Sequence, residues 1–314
     1  MTSNDGSCGT AQGPAFAPAE IRDGVIVADQ VKAAGPGWLN TQTRIDSALR
    51  SSADPFDHAV ADLVNAGHMR TPAGRLDALV QAAAASSDSR VYSLAFRACY
   101  AAAHVSPIFK EPAPPASCGL LTARHWASLD PNNGVPWLAV LAQVGEDEDL
   151  PGQQYALAHL ATATRFDEHQ WQAAAAVLAQ EPAQGANELA TYDLAMNAWS
   201  SLAHVGLGPL TALCQNHAGG DAALAARCAA IATTMVDRSD SWGLRFTGAS
   251  LSVYLGGDET RRKAIGAERA ALVARERNEM PTSNCGLLRF QMQQMLRNGQ
   301  IGEVAAARER RAGP

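Results

Sequence analysis

Long apolar runs are missing from this 314-residue sequence. No window approaches the roughly 18 to 20 uninterrupted apolar residues that a membrane-spanning helix needs, so we expect no membrane span. The first twenty residues, MTSNDGSCGTAQGPAFAPAE, have neither a basic segment nor an apolar core, and therefore show no signal peptide. We expect a cytoplasmic protein, with a periplasmic or exported location as the alternative if a signal peptide has been removed.

Clustered positive charge and aromatic residues are also scarce. Lys and Arg number 25 against 31 Asp and Glu, which gives a formal net charge of −6. Proteins that bind nucleic acids or anionic membranes concentrate Lys and Arg on one surface, so the charge balance argues against a nucleic-acid partner. Aromatic residues make up only 6% of the chain although 47% of it is hydrophobic. Much of the hydrophobic content is alanine, which favours helices.

Motifs that hold metals or carry nucleophilic catalysis are absent as well. The eight histidines form no HExxH or HxH pattern, and the six cysteines form no CxxC pair. We therefore expect no metal and no cofactor. The sequence also contains no G-x-S-x-G elbow, no P-loop and no G-x-G-x-x-G motif, so no catalytic residue is assigned.

The cysteine spacing leaves two disulfides open. Cys214 lies five residues before Gly219 and Cys228 nine residues after it, and in a simple hairpin this mismatch separates the two by roughly 6 Å. The second possible disulfide joins Cys99 to Cys118. Buried, reduced cysteines that pack as small apolar side chains are the favoured alternative for both pairs.

Nearly every strong local signal predicts a helix. Asp54-Pro55 and Thr71-Pro72 each place an N-cap residue before a proline at the first helical position. In FDEHQW at 166–171, Asp167 is predicted as an N-cap with a capping-box glutamine three residues later. Only GVIVA at 24–28 resembles a strand, and it is too short to define a sheet. The other predicted helices span 89–103, 120–129, 135–145, 153–164, 187–204, 207–216, 221–236, 240–255, 258–279, 284–297 and 302–311.

Prolines divide the predicted helices into two groups. The segment SPIFKEPAPPAS at 106–117 cannot be helical, because each proline lacks an N–H donor and biases the preceding residue toward extended geometry. We therefore predict a poorly ordered leader over 1–40, helical hairpins over 41–105, a proline-rich linker or loop over 106–117 and a helical-repeat domain over 118–314.

Two tryptophans recur at a fixed spacing in the second group. Trp137 and Trp171 are 34 residues apart, each near the beginning of the first helix of a predicted pair, and Pro131 precedes the first of them in LDPNNGVPW. This spacing resembles the tetratricopeptide repeat, whose period is 34 residues. The sequence departs from that family at Leu141, where a small residue is usual, and at Arg165, where a proline is usual. The resemblance implies an all-α chain of antiparallel helix pairs stacked as an α-solenoid, without a significant sheet.

The resemblance covers roughly residues 118–181 and also implies a function. Stacked helix pairs bind their ligands on a concave face that is lined by the first helix of each unit. Transferring the groove positions of the family gives five candidate binding residues: Leu138, Glu146, His169, Gln172 and Gln180. Because these side chains are mixed in character and not basic, we expect a helical-repeat scaffold that binds a protein or peptide and has no catalysis of its own.

Two other functions stay open at this point. An all-helical enzyme could bring its catalytic residues together only in the tertiary structure, and a pocket with strongly shifted pKa values would favour it. A bacterial interaction protein of the cell envelope, such as an immunity or assembly factor, would be exported, and oxidised cysteines would favour that assignment.

Overall fold

The computed structural model describes residues 21–22, 25–26, 36–64, 73–104, 114–147, 149–180, 188–202, 204–217, 220–281 and 284–312. Within these ranges the structure is built almost entirely from helices, which confirms the predicted all-α class. The sole strands among them are β1 (Ile21–Arg22) and β2 (Val25–Ile26), which pair antiparallel.

Fifteen α-helices lie in the described ranges, and a short 3₁₀ segment covers Ala116–Leu120. In chain order the helices are α1 (Pro36–Ser51), α2 (Pro55–Leu63), α3 (Ala73–Ala84), α4 (Ser89–Ala103), α5 (Ala123–Leu129), α6 (Gly134–Glu146), α7 (Leu150–Thr162), α8 (Gln170–Ala179), α9 (Glu188–Ser200), α10 (Leu207–His217), α11 (Ala222–Arg238), α12 (Trp242–Tyr254), α13 (Glu259–Glu279), α14 (Asn284–Ile301) and α15 (Glu303–Ala312). None of those fifteen has both the length and the apolar character needed to cross a bilayer.

The chain folds into two compact units, each made of segments that are separated in sequence. The first unit takes Met1–Leu120, His169–Ala203 and Met280–Gln300, and the second takes Leu121–Glu168, His204–Glu279 and Ile301–Pro314. These units differ from the predicted division at 106–117, because α8 and α9 pack with α1 and α2 in the first unit. Most of the predicted leader lies outside the described residues, although α1 begins within it at Pro36.

In the first unit, local sequence signals fix where the helices begin. The carboxylate of Asp54 accepts the N–H of Phe56 at 3.0 Å, and Pro55 occupies the first turn of α2. Asp88 caps α4 in the same way through the N–H of Arg90. The N-cap predicted at Asp54 is therefore confirmed, whereas the one at Thr71 lies outside the described residues. Four leucines from α1 to α4 are fully buried and form the centre of this packing: Leu49, Leu63, Leu79 and Leu94.

In the second unit, α6 packs against α5, α7 and α10, and α11 packs against α7 and α12. Trp126 of α5 is one of the largest completely buried side chains. Helix α13 contacts α12 and α15 but is mostly exposed, and it contributes Ile265 and the partly buried Leu272 to the core. The charged residues at the beginning of α13 form a solvated face, with Lys263 paired to Glu259 at 2.9 Å.

Among the described residues, two disulfides are found, one in each unit. Cys99 of α4 is bonded to Cys118 of the 3₁₀ segment, with 5.7 Å between the Cα atoms, and Cys214 of α10 is bonded to Cys228 of α11, with 5.9 Å between the Cα atoms. The favoured expectation of reduced cysteines therefore does not hold for these four residues.

Candidate functional site

Three connections between helices lie side by side in the second unit and are joined by main-chain hydrogen bonds. The N–H of Gly134, at the beginning of α6, donates to the carbonyl of Arg165 at 2.8 Å. Phe166 donates to the carbonyl of Arg238 at 3.2 Å and accepts the N–H of Asp240 at 3.1 Å. The segment before α8 is therefore held between the segments that precede α6 and α12.

Asn133, from the LDPNNG stretch, supplies the side chain that fixes this arrangement. Its amide is fully buried. The Nδ2 atom donates to the carbonyl of Asp167 at 2.9 Å and to Asp130 Oδ2 at 3.1 Å, and Oδ1 accepts the N–H of Asp167 at 3.0 Å and of Val135 at 3.1 Å. The asparagine thus caps α6 and at the same time positions a carboxylate-bearing segment 34 residues further along the chain.

Phe166 fills the space beside this junction. Its ring is completely buried and lies against Gly134, where an added Cβ would overlap the ring atoms. Glycine at this position therefore allows the ring to approach the first turn of α6.

A cleft of about 480 Å³ opens where these segments meet α15. Its lining combines apolar side chains with charges of both signs. The lining residues are Arg165, Phe166, Asp167, Asp237, Arg238, Ser239, Asp240, Arg245, Ile301, Val304, Ala305 and Arg308. Its volume lies within the range of ligand pockets, but its lining carries more charged side chains than most of them do.

Two carboxyl groups of the lining, Asp167 and Asp240, form what we call the carboxyl pair. The pKa of Asp240 is raised well above its usual value, first by burial and then by the negative charges of Asp167 and Glu168. Its Oδ1 atom is shielded from solvent and has no hydrogen-bond donor among the described residues. Both observations fit a protonated Asp240 whose side chain is hydrogen-bonded to Asp167. The nearby Glu168 carboxylate is buried beside His204, whose Nδ1 lies 2.5 Å from Oε1.

Replacing Asp240 by asparagine is expected to change how stability depends on pH. The pKa of Asp240 is higher in the folded protein than its ordinary value of 3.8, so folding favours the protonated carboxyl. This contribution to the free energy of unfolding is fully present below pH 3.8 and is lost as the pH rises through the raised pKa of the folded state. Asp240→Asn does not titrate, so its free energy of unfolding relative to the wild type should increase over this range. Urea denaturation at a series of pH values measures the difference.

Asp258→Asn is the matched control for this experiment. Hydrogen bonds from Thr260 lower the pKa of exposed Asp258, so the stability linked to its carboxylate is present above its ordinary pKa and is lost as pH falls through the lowered one. The pH dependence of this variant relative to the wild type should have the opposite sign. A difference between wild type and Asp240→Asn that is independent of pH would contradict the raised pKa.

Three arginines of the lining form a second cluster, the arginine group, which consists of Arg238, Arg245 and Arg308. The last two share a single carboxylate, because Arg245 Nη1 lies 3.5 Å from Glu268 Oε2 and Arg308 Nε lies 2.8 Å from Glu268 Oε1. Arg245 is buried, and its pKa is lowered by burial and by the charge of Arg308. Hydrogen bonds from Arg308 lower the pKa of Glu268. Arg238 forms no ion pair within the described part of the chain.

The five predicted groove residues are divided between the two units. Leu138 is 1% exposed inside α6, so the prediction that it lines an open groove is wrong, because this face of α6 packs against neighbouring helices. Glu146 is exposed on the same helix. His169, Gln172 and Gln180 belong to the first unit, where His169 is buried and its Nδ1 lies 3.0 Å from Gln172 Oε1. None of the five lines the cleft.

The two repeat-defining tryptophans belong to different units, yet each contacts the next helix along the chain. Trp137 stacks on His159 of α7, with 3.9 Å between ring centroids, and its Nε1 donates to the carbonyl of Pro131 at 3.0 Å. Trp171 lies 5.4 Å from Trp199 of α9. Pro131 therefore accepts a hydrogen bond from the indole in addition to ending the preceding helix.

The sequence analysis missed the arginine group and the carboxyl pair. No motif links their residues, which are spread from 167 to 308 and belong to several helices and connections. One local signal was available, because three charged residues within DRSD at 237–240 directly precede the beginning of α12. Within the described residues, no group of three or more His, Cys, Asp or Glu side chains could hold a metal ion.

Comparisons with models of protein families, with curated proteins and with solved structures find no match for this chain.

Proposed function

We propose that this chain is a helical scaffold that binds a peptide segment of a partner protein in the cleft of the second unit. The observation that carries the proposal is the lining, which places the apolar side chain of Ile301, 39% exposed, among arginines and aspartates. Peptides present apolar side chains beside charged and amide groups, so a mixed, open cleft suits them better than it suits a nucleic acid.

A tetratricopeptide-like stack of antiparallel helix pairs is the architecture that we propose for this scaffold. Two features of the structure support it. Asn133 and Asp167, which are 34 residues apart, are joined by reciprocal hydrogen bonds, and Trp137 and Trp171 each contact the second helix of their own pair. Side-by-side junctions with this spacing are the pattern that repeated helix pairs produce.

The two disulfides favour a protein that works in an oxidising compartment, such as an exported interaction factor, since disulfides are rare in the reducing cytosol. Thiol labelling of the native protein tests this second proposal. Cys99, Cys118, Cys214 and Cys228 should react only after reduction, and labelling of all four without reductant would contradict it.

Ile301→Glu is expected to weaken peptide binding, because a carboxylate replaces the apolar contact at the cleft. Peptides are first selected from a random phage-displayed library with the whole protein, and their affinities are then measured by isothermal titration calorimetry. We expect the dissociation constant to rise by about tenfold or more, as for an apolar anchor at an interface.

Tyr254→Glu is the control, because Tyr254 is also exposed in the second unit but does not line the cleft. Its affinity for the selected peptides should equal that of the wild type. If no peptide is selected above background, or if Ile301→Glu binds as tightly as the wild type, the cleft is not the peptide site.

A further inference from the structure

The positive charge of the arginine group is only partly neutralised by neighbouring carboxylates. Glu268 provides one negative charge for both Arg245 and Arg308. Asp237 is the partner of Arg261 on the exposed side, and Arg165 is paired with Asp130 at 2.6 Å. One positive charge from the Arg245 and Arg308 pair and the charge of Arg238 therefore remain at the cleft, where they exceed the single negative charge of the Asp167 carboxylate.

Hydrogen-bond donors of the same arginines are also unused. Nε and Nη1 of Arg245 donate to Val236 and Glu268, and Nε and Nη2 of Arg308 both donate to Glu268. This leaves Nη2 of Arg245 and Nη1 of Arg308 without a partner in the described residues. Arg245 is also held in place, because its guanidinium lies 4.9 Å from the ring centroid of Trp242. A fixed guanidinium loses little side-chain freedom when it binds an anion.

We infer that the arginine group is an anion subsite that binds a carboxylate of the peptide, either an acidic side chain or the C-terminus. The inference rests on the proposed peptide binding in the cleft and adds the chemical class of the anchoring group. Guanidinium groups present paired N–H donors whose geometry matches a carboxylate.

Binding of glutarate, compared with its neutral analogue glutaramide at equal ionic strength, tests the subsite directly. Titration of the whole protein, followed by calorimetry or by NMR chemical shifts, should detect glutarate and not glutaramide. Arg238→Gln should weaken glutarate binding by roughly tenfold to a hundredfold, the range expected for a lost hydrogen bond to a charged group. Arg238 is exposed and has no ion pair to lose, so this variant should fold like the wild type.

Arg269→Gln is the matched control, because Arg269 is an exposed arginine of α13 that does not line the cleft. It should bind glutarate as the wild type does. Equal binding of glutarate and glutaramide, no binding of either, or unchanged binding by Arg238→Gln would each overturn the anion subsite.

The library-selected peptides separate failure of the subsite from failure of the proposed function. Peptides that depend on Ile301 but keep their affinity when every carboxylate is converted to an amide would refute the subsite and leave the peptide site intact. If no peptide is selected while glutarate binds in an Arg238-dependent manner, peptide binding is wrong and the cleft is a site for small carboxylates.

Discussion

Reducing the two disulfides is expected to lower the free energy of unfolding by about 2 to 4 kcal/mol for each bond. The bonds close chain segments with sequence separations of 19 and 14 residues, and cutting them lets the unfolded chain gain conformations that the native state does not gain. Urea denaturation with and without a reductant measures the total effect.

Double alanine variants assign the loss to each bond. Cys99→Ala with Cys118→Ala, and Cys214→Ala with Cys228→Ala, should each lose stability even under oxidising conditions. The variant that lacks Cys99, Cys118, Cys214 and Cys228 should lose less stability than the wild type when reductant is added, because these two bonds are absent from it. If reductant leaves the urea midpoint of the wild type unchanged, the four cysteines are not disulfide-bonded in the folded protein.

Phe166→Ala is expected to cost about 3 to 5 kcal/mol, the range for removing a buried aromatic side chain from a packed core. The ring is completely buried against Gly134 and also forms part of the cleft wall. Its loss removes apolar contacts and leaves a cavity beside the three joined connections. The stability is measured by urea denaturation, and peptide or glutarate binding is measured under conditions in which the variant is still folded.

Phe246→Ala controls for the change of residue type. Phe246 lies on α12 of the same unit but is 43% exposed, so its replacement should alter stability by no more than about 0.5 to 1 kcal/mol. Similar losses for the two variants would show that Phe166 is not a core residue. A stable Phe166→Ala protein with unchanged binding would show that the ring does not shape the cleft.

Local sequence signals predicted most helix positions but failed at the beginning of α8. Asp167 was expected to cap this helix, whereas α8 begins at Gln170 after His169, which adopts a left-handed backbone with φ of 55° and provides no side-chain cap. Instead, the N–H and carbonyl of Asp167 bond to Asn133. A hydrogen-bonded contact 34 residues away thus prevailed over the local capping pattern, which is worth only about 1 kcal/mol.

The burial of Leu138, one of the five predicted binding residues, has a related reason. The groove positions were assigned from the 34-residue repeat spacing. That spacing does not show which face of each helix is covered by neighbouring helices. Leu138 is buried in the structure although the repeat spacing assigned it to the groove. Arg238 lines the cleft although the spacing did not select it.

The sequence by itself determined the helical class, the cap at Asp54, and the absence of recognisable metal and nucleotide motifs. These properties depend on neighbours within one or two helical turns, so they can be derived from spacing alone. Only the tertiary structure decided the two units, the disulfide partners and the cleft with its carboxyl pair and arginine group. Burial, charge sharing and main-chain hydrogen bonds between distant segments arise when the helices pack, and no local pattern in the chain encodes them.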